Sequence, residues 1–150
     1  MKALGERTIL VVEDSDDDWD TVVQAGRTIG IEQRLSRAVD GSACLDLLRG
    51  SRALPLMPVF LLLDLNLPGV HGRDVLLAIK GDRRLKALPV IIVTTSSNPR
   101  DVSACYRAGA NAYHVKPLRY PAYIQLMHAL FDYWLAAAHL PHPSADAETP

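Results

Sequence analysis

Cysteine is nearly absent. The chain of 150 residues holds two, Cys44 and Cys105, far apart and each inside a helical pattern. That argues against a disulfide framework and suits small buried hydrophobes in a reduced, cytoplasmic protein. Long apolar runs are missing as well. No stretch reaches the length needed to cross a bilayer, and the opening MKALGERTILVVED lacks the apolar centre of a secretory leader. Neither sign of charge is in excess: Lys and Arg number 16, Asp and Glu 17, and the formal net charge is −1. No global basic field draws the chain to DNA or to a membrane, and no DNA-binding fingerprint occurs. There is no internal repeat, and the length suits one domain. Apolar material is abundant at 49%, enough for a packed core and too much for disorder.

The chain is organised around residues 59–72, VFLLLDLNLPGVHG. Its apolar opening is short and flanked by turn residues, which fits a strand buried on both faces. It ends in one carboxylate, Asp64. Asn66, Pro68, Gly69 and Gly72 follow as loop chemistry. In open α/β sheets, ligands bind outside the carboxyl ends of the strands. Taken alone, Asp64 reads equally well as a turn former or helix cap; other strands ending in chemistry at the same edge raise its significance.

In chain order, residues 8–12 read as a buried strand running into Glu13, Asp14 and a further acid run to Asp18. Ser15 or Asp16 is placed to cap the next helix, and most of that acid run reads as solvated capping charge. Residues 31–39 form a weaker, partly polar edge strand. A short helix over 42–48 is followed by a loop over 49–58. After the Asp64 strand come a helix over 73–80, a buried strand over 88–94 ending in hydroxyls, and a helix over 99–108. A short strand over 112–115 then ends at Lys116-Pro117. A helix over 118–140 and a polar tail over 141–150 complete the chain. Domain organisation is therefore one unit over 1–140 plus the tail. Strands alternating with helices imply an α/β fold with a parallel sheet and right-handed crossovers.

Four strand ends supply Glu13 and Asp14, Asp64, Thr94 and Lys116 to one edge. Three carboxylates there repel, and a hard divalent cation such as Mg²⁺ lets them coexist while leaving positions for water or phosphate oxygens. Lys116 adds positive charge and Thr94 a hydroxyl donor. The set reads as a carboxylate nucleophile that accepts a phosphoryl group.

These residues carry a resemblance. VVEDS at 11–15, LLLDLNLPGVHG at 61–72, VIIVTTS at 90–96 and AYHVKP at 112–117, with the spacing of Asp64, Thr94 and Lys116, resemble the receiver domains of two-component response regulators. The resemblance implies a flavodoxin-like, doubly wound (βα)5 fold with five parallel strands and a long last helix. It implies Asp64 as phosphoacceptor, with Asp14 ligating Mg²⁺ directly, Glu13 through water and Asn66 through its carbonyl. Thr94 becomes the switch hydroxyl and Lys116 the phosphoryl contact. Tyr113 matches the switch aromatic, although a plain strand aromatic is its rival reading. The Lys116–Pro117 bond matches one that is cis in the family. Glu13 stands where Asp is commoner. Thr95 follows the switch residue with a β-branched side chain that narrows access. His71 reads as an exposed loop histidine, and His139 and His142 are weak metal candidates.

No output domain follows the receiver pattern. FDYWLAAAHLP at 131–141 resembles regulators paired with phytochrome-type histidine kinases. The chain is thus expected to be a cytoplasmic phosphoacceptor in a phosphorelay, signalling by conformational change and docking, rather than an enzyme in its own right. The alternatives are a phosphate sink, a degenerate scaffold receiver (opposed by the intact Asp14, Asp64, Thr94 and Lys116) and an aspartate-nucleophile phosphatase. The phosphatase needs a second acid where Asn66 stands. Finally, the last helix shows two apolar lines: Tyr123, Met127, Leu130 and Trp134 on one, Ile124, Phe131 and Leu135 on the other. Folding back on its own domain would explain the second line; a homodimer through this helix, with Phe131, Trp134 and Leu135 in the interface, is the expectation favoured here.

Overall fold

A computed structural model describes residues 8–50 and 57–141. The tail after Pro141, His142 with it, and most of the 49–58 loop lie outside the described residues. The elements are β1 (Ile9–Val12), α1 (Asp16–Thr28), β2 (Leu35–Ala38), α2 (Gly41–Leu48), β3 (Phe60–Leu63), α3 (Gly72–Lys80), β4 (Val90–Thr94), α4 (Pro99–Arg107), β5 (Ala112–Val115) and α5 (Tyr120–Asp132). All strand pairs are parallel, in the order β2-β1-β3-β4-β5. This is the expected flavodoxin-like order.

Alternation along each central strand builds two cores. Leu10, Val12, Leu61, Leu63, Val90 and Ile92 face α2, α3 and α4, where Leu48, Leu76, Ile79 and Cys105 meet them. Ile9, Val11, Phe60, Leu62, Ile91 and Val93 face α1 and α5, where Val22, Ala25, Tyr123 and Met127 meet them. Successive strand side chains point to opposite faces, so an unbroken apolar run fills both layers. Cys44 is fully buried, and burial pushes its thiol up to about 12. It remains a protonated, inert packing group.

Helix starts follow local chemistry. Ser15 caps α1 by accepting from the Asp18 amide, Asp40 caps α2 through the Ala43 amide, and Asn98 caps α4 through the Arg100 amide. His71, exposed as expected, caps α3 by accepting from the Arg73 amide. At the start of α3, a Cβ on Gly72 would collide with the Asp64 carbonyl and the Leu65 Cα. Glycine there lets α3 begin directly against the end of β3.

Four expectations are corrected. The edge strand is shorter than residues 31–39, because α1 closes with the Ile31 amide on the Gly26 carbonyl (2.9 Å) and a 3₁₀ turn over Glu32–Arg34 follows. Gly30 takes φ +78 to allow that closure. The last helix ends before Leu140. Its final turn, Tyr133–Ala137, is a π turn in which the Ala138 amide bonds the Tyr133 carbonyl at 2.8 Å, and Ala138 is already extended. Leu140 precedes Pro141, which disfavours helical backbone there, and it packs against the α1/α5 core. No cis peptide occurs among the described residues, so Lys116–Pro117 is trans, the form intrinsically favoured for X-Pro bonds.

Phe131 is also corrected. It is fully buried beside Phe60 and Met127, so it has no surface to offer a second copy. The helix needs a broad apolar stripe because it packs on both the sheet and α1. His128 Nε2 marks the α1 side, 2.7 Å from Thr28 Oγ1 and 3.2 Å from the Ala25 carbonyl. Trp134 and Leu135 are half-buried on the same core, with the Trp134 ring 6.3 Å from that of Phe60. The second apolar line is largely intramolecular.

Candidate functional site

Backbone pairing continues past the strand ends and brings the reactive residues to one level. The Glu13 amide bonds the Ala38 carbonyl (3.0 Å), the Asp64 amide bonds the Val12 carbonyl (3.2 Å), and the Lys116 amide bonds the Thr94 carbonyl (2.7 Å). Glu13, Asp64, Thr94 and Lys116 are therefore buried polar residues on the carboxyl edge of a parallel sheet.

Lys116 lies at the centre. Its Nζ donates to Glu13 Oε1, Asp18 Oδ2 and Asp64 Oδ2, each at 2.7 Å. The ammonium balances charge that would otherwise be costly to bury. Asp14 is exposed beside it, and Glu13, Asp14 and Asp64 can each place a carboxylate oxygen within 4.8 Å of the others. Asp64 Oδ1 accepts from the Asn66 amide at 3.1 Å. The Asn66 side chain is exposed, and its Nδ2 lies 3.4 Å from Thr95 Oγ1. The Thr94 hydroxyl is buried without a hydrogen-bond partner among the described residues. Such a group is costly unless something fills it, as an incoming oxygen would. Tyr113 is half-buried and donates its hydroxyl to the Ser96 carbonyl at 2.9 Å.

The sequence reading missed Asp18, which it took for solvated capping charge. Ser15 and Asp18 have the spacing of a capping box, whose acid would reach back to the Ser15 amide. Here Glu13 Oε2 takes that amide at 3.3 Å, and the Asp18 carboxylate turns to Lys116 instead. Arg37 was missed as well. Its Nε donates to the Glu13 carbonyl (2.9 Å), one N–H group reaches Asp16, and the guanidinium lies 5.8 Å from the Trp19 ring centre. No local pattern signals either contact, because both join distant parts of the chain.

Burial pushes the Glu13 carboxyl up to about 7, against the lowering effect of Lys116 and with a further rise from the Asp64 charge. Burial alone would lower the Lys116 value. Hydrogen bonds to Asp18, Asp64 and Glu13 outweigh it and raise Lys116 well above the usual lysine range, so it stays an ammonium. For Glu13, the folded value lies above the unfolded one. Its contribution to stability is full below about 4.5 and is lost as the pH rises through about 7. Metal-free protein is thus expected to melt at progressively lower temperature across that window. Glu13→Gln should flatten this slope in thermal melts run in chelator; an unaltered slope would assign it to other groups.

The three acids fit a hard divalent cation: all are oxygen donors, two are buried, and one faces solvent. Among the described residues, no helix is long and apolar enough to cross a membrane. Comparison with known proteins agrees with the site. The response regulator receiver domain family matches residues 9–128. FilR2 of Methanothrix harundinacea is 37% identical over 140 residues, covering 91% of this chain and 88% of its own. Rcp1 of Synechocystis is 36% identical over 137 residues, covering 90% and 93%. The crystal structure of the phosphorylated cyanobacterial phytochrome response regulator RcpA superposes with a TM-score of 0.86 at 31% identity, covering 91% of this chain and 99% of that one. The Mn²⁺-bound form of Rcp1 superposes with a TM-score of 0.84 at 34% identity, covering 90% and 99%. Since the family match runs over most of the sequence and the relatives align with it almost throughout, the chain belongs to the response regulator receiver domain family.

Proposed function

We propose that Asp64 accepts a phosphoryl group from a histidine kinase of the phytochrome type, with Mg²⁺ held by Asp14, Asp64, Glu13 through water and the Asn66 carbonyl. The observation that carries the reading is the buried Asp64 carboxylate, with Lys116 Nζ at 2.7 Å and the unpartnered Thr94 hydroxyl at the same sheet edge. An Asp64 oxygen forms a bond to phosphorus as the bond to the donor imidazole nitrogen breaks, and the imidazole leaves with the electron pair. Bound Mg²⁺ supplies charge compensation for the phosphoryl oxygens. Lys116 and Thr94 hold those oxygens by hydrogen bonds. Tyr113, through its hydroxyl bond to the Ser96 carbonyl, ties β5 to the loop that follows Thr94. The product is a signalling state rather than a released compound. The likeness to Rcp1 and to the phytochrome regulator RcpA supports the kinase class.

The test is phosphotransfer from acetyl phosphate and from a panel of histidine kinases, with and without Mg²⁺. Asp14→Ala removes an exposed metal acid, so the fold should be unaffected. Mg²⁺ affinity, followed by Trp19 fluorescence, should fall roughly tenfold or more, and phosphorylation with it. Undiminished phosphotransfer in excess EDTA would overturn the reading.

The proposal extends to a homodimer through residues 115–120, between the end of β5 and the start of α5. Leu118 is fully exposed, and Tyr120 and Val115, close to it in the chain, are 55% and 43% exposed. Large apolar side chains left in water within one short segment suit a self-complementary contact. Leu118→Glu with Tyr120→Glu should give a folded monomer in light scattering. A wild-type chain that is monomeric at high micromolar concentration, phosphorylated or not, would exclude the dimer.

A further inference from the structure

We infer that Asp18 is a positioning residue for phosphoryl acceptance, the fixed anchor of Lys116 while the other two partners of that lysine are drawn into the reaction. The inference rests on the phosphoacceptor reading of Asp64. An ammonium has three N–H donors, and all three are used, on Glu13, Asp18 and Asp64. These acids come from three different elements: the end of β1, the first turn of α1 and the end of β3. A lysine stem is long and flexible, so the partners of its head fix where that head points.

The three partners are not equivalent. Phosphorylation turns the Asp64 carboxylate into an acyl phosphate and moves its negative charge outward onto the phosphoryl oxygens. The Lys116 donor that Asp64 occupied then passes to a phosphoryl oxygen, and the count of three remains filled. Glu13 belongs to the group of acids able to hold a cation, so a bound cation would compete with Lys116 for its oxygens. Asp18 lies outside that group among the described residues. It sits on α1, 30% exposed at its side chain, and neither metal nor phosphoryl group competes for it. It is thus the one contact that persists through the reaction and keeps the ammonium aimed at the phosphoryl site.

The sign of the effect separates positioning from simple electrostatics. Deleting a carboxylate near an anion site should by charge alone tighten anion binding. Loss of the anchor should weaken it. The experiment is a calorimetric titration of beryllofluoride, a phosphoryl mimic, into Mg²⁺-saturated protein. Asp18→Asn is expected to bind it about tenfold more weakly than wild type, the size of one charge-assisted hydrogen bond. Asp17→Asn removes the same charge from the same turn at an exposed position and should bind no more weakly than wild type. Mg²⁺ affinity should change no more in Asp18→Asn than in Asp17→Asn. Asp18→Glu keeps the charge and should recover part of the loss, and it serves as the test if Asp18→Asn does not fold. Wild-type or tighter binding by Asp18→Asn, or an equal loss in Asp17→Asn, overturns the inference. A wild-type protein that takes up no beryllofluoride overturns the phosphoacceptor reading itself.

Discussion

Asp64→Asn is expected to lower phosphoryl incorporation by at least about 10³-fold, with any donor, while the protein stays folded. The amide is nearly the shape of the carboxylate but is not a nucleophile at neutral pH. Its oxygen can keep the bond from the Asn66 amide, and the side chain remains enclosed at the end of β3. Lys116 keeps two carboxylate partners, Glu13 and Asp18, so no buried charge is left alone. Stability should therefore move by no more than about 1 kcal/mol. The measurement is acid-stable or gel-shift detection of phosphoprotein beside a thermal melt. Phosphoryl uptake at the wild-type level would place the acceptor elsewhere. An unfolded variant would mean that the Asp64–Lys116 contact supports the fold more than its geometry implies.

Lys116→Met should have the largest effect on stability. The side chains of Glu13 and Asp64 are 5% and 7% exposed, and Lys116 is the cation within hydrogen-bond reach of both. Removing one partner from such a cluster leaves uncompensated buried charge, a loss of about 3–5 kcal/mol. For a domain of this size that lowers the melting temperature by about 10 °C. The loss should shrink at low pH. Burial already makes Glu13 hold its proton more tightly when folded than when unfolded, and loss of the ammonium adds to that, which favours the fold below its folded pKa and not above it. Mg²⁺ should restore part of the stability, since it binds the folded acid cluster and not the unfolded chain. Thermal melts at low and high pH, each with Mg²⁺ or chelator, give four readings. A variant as stable as wild type at high pH in chelator would show that the acids share their charge with something other than Lys116. Both variants remove a group at the same edge, yet one should silence the chemistry and the other should loosen the fold. On the proposed function Asp64 is the reacting group and Lys116 the cation that neutralises it.

Much of this could be read locally. Buried strands such as FLLL and VIIVT announce themselves as apolar runs, and a parallel sheet follows from their alternation with helices. Because ligand sites in such sheets gather at the carboxyl ends, Asp64, Thr94 and Lys116 could be nominated from their places after those runs. Caps at Ser15, Asp40 and Asn98 are equally local, each a side chain bonding an amide a few positions on.

Other features depend on residues that are distant in the chain. Asp18 and Lys116 meet across 98 positions, and the local pattern around Asp18 points to a capping box instead. Periodicity marks Phe131 as apolar without saying whether the sheet, α1 or a second molecule covers it; the packing of α5 on both the sheet and α1 decides that. The final helical turn widens and stops where Trp134 and Leu140 settle on the core, an end that helix-forming alanines at 136–138 do not foretell. The sequence by itself determined the succession of strands and helices along the chain and which residues stand at strand ends, because both depend on near neighbours. Only the tertiary structure decided which acids share one ammonium and which apolar faces are already covered, because burial and ion pairing are settled by whatever arrives from elsewhere in the fold.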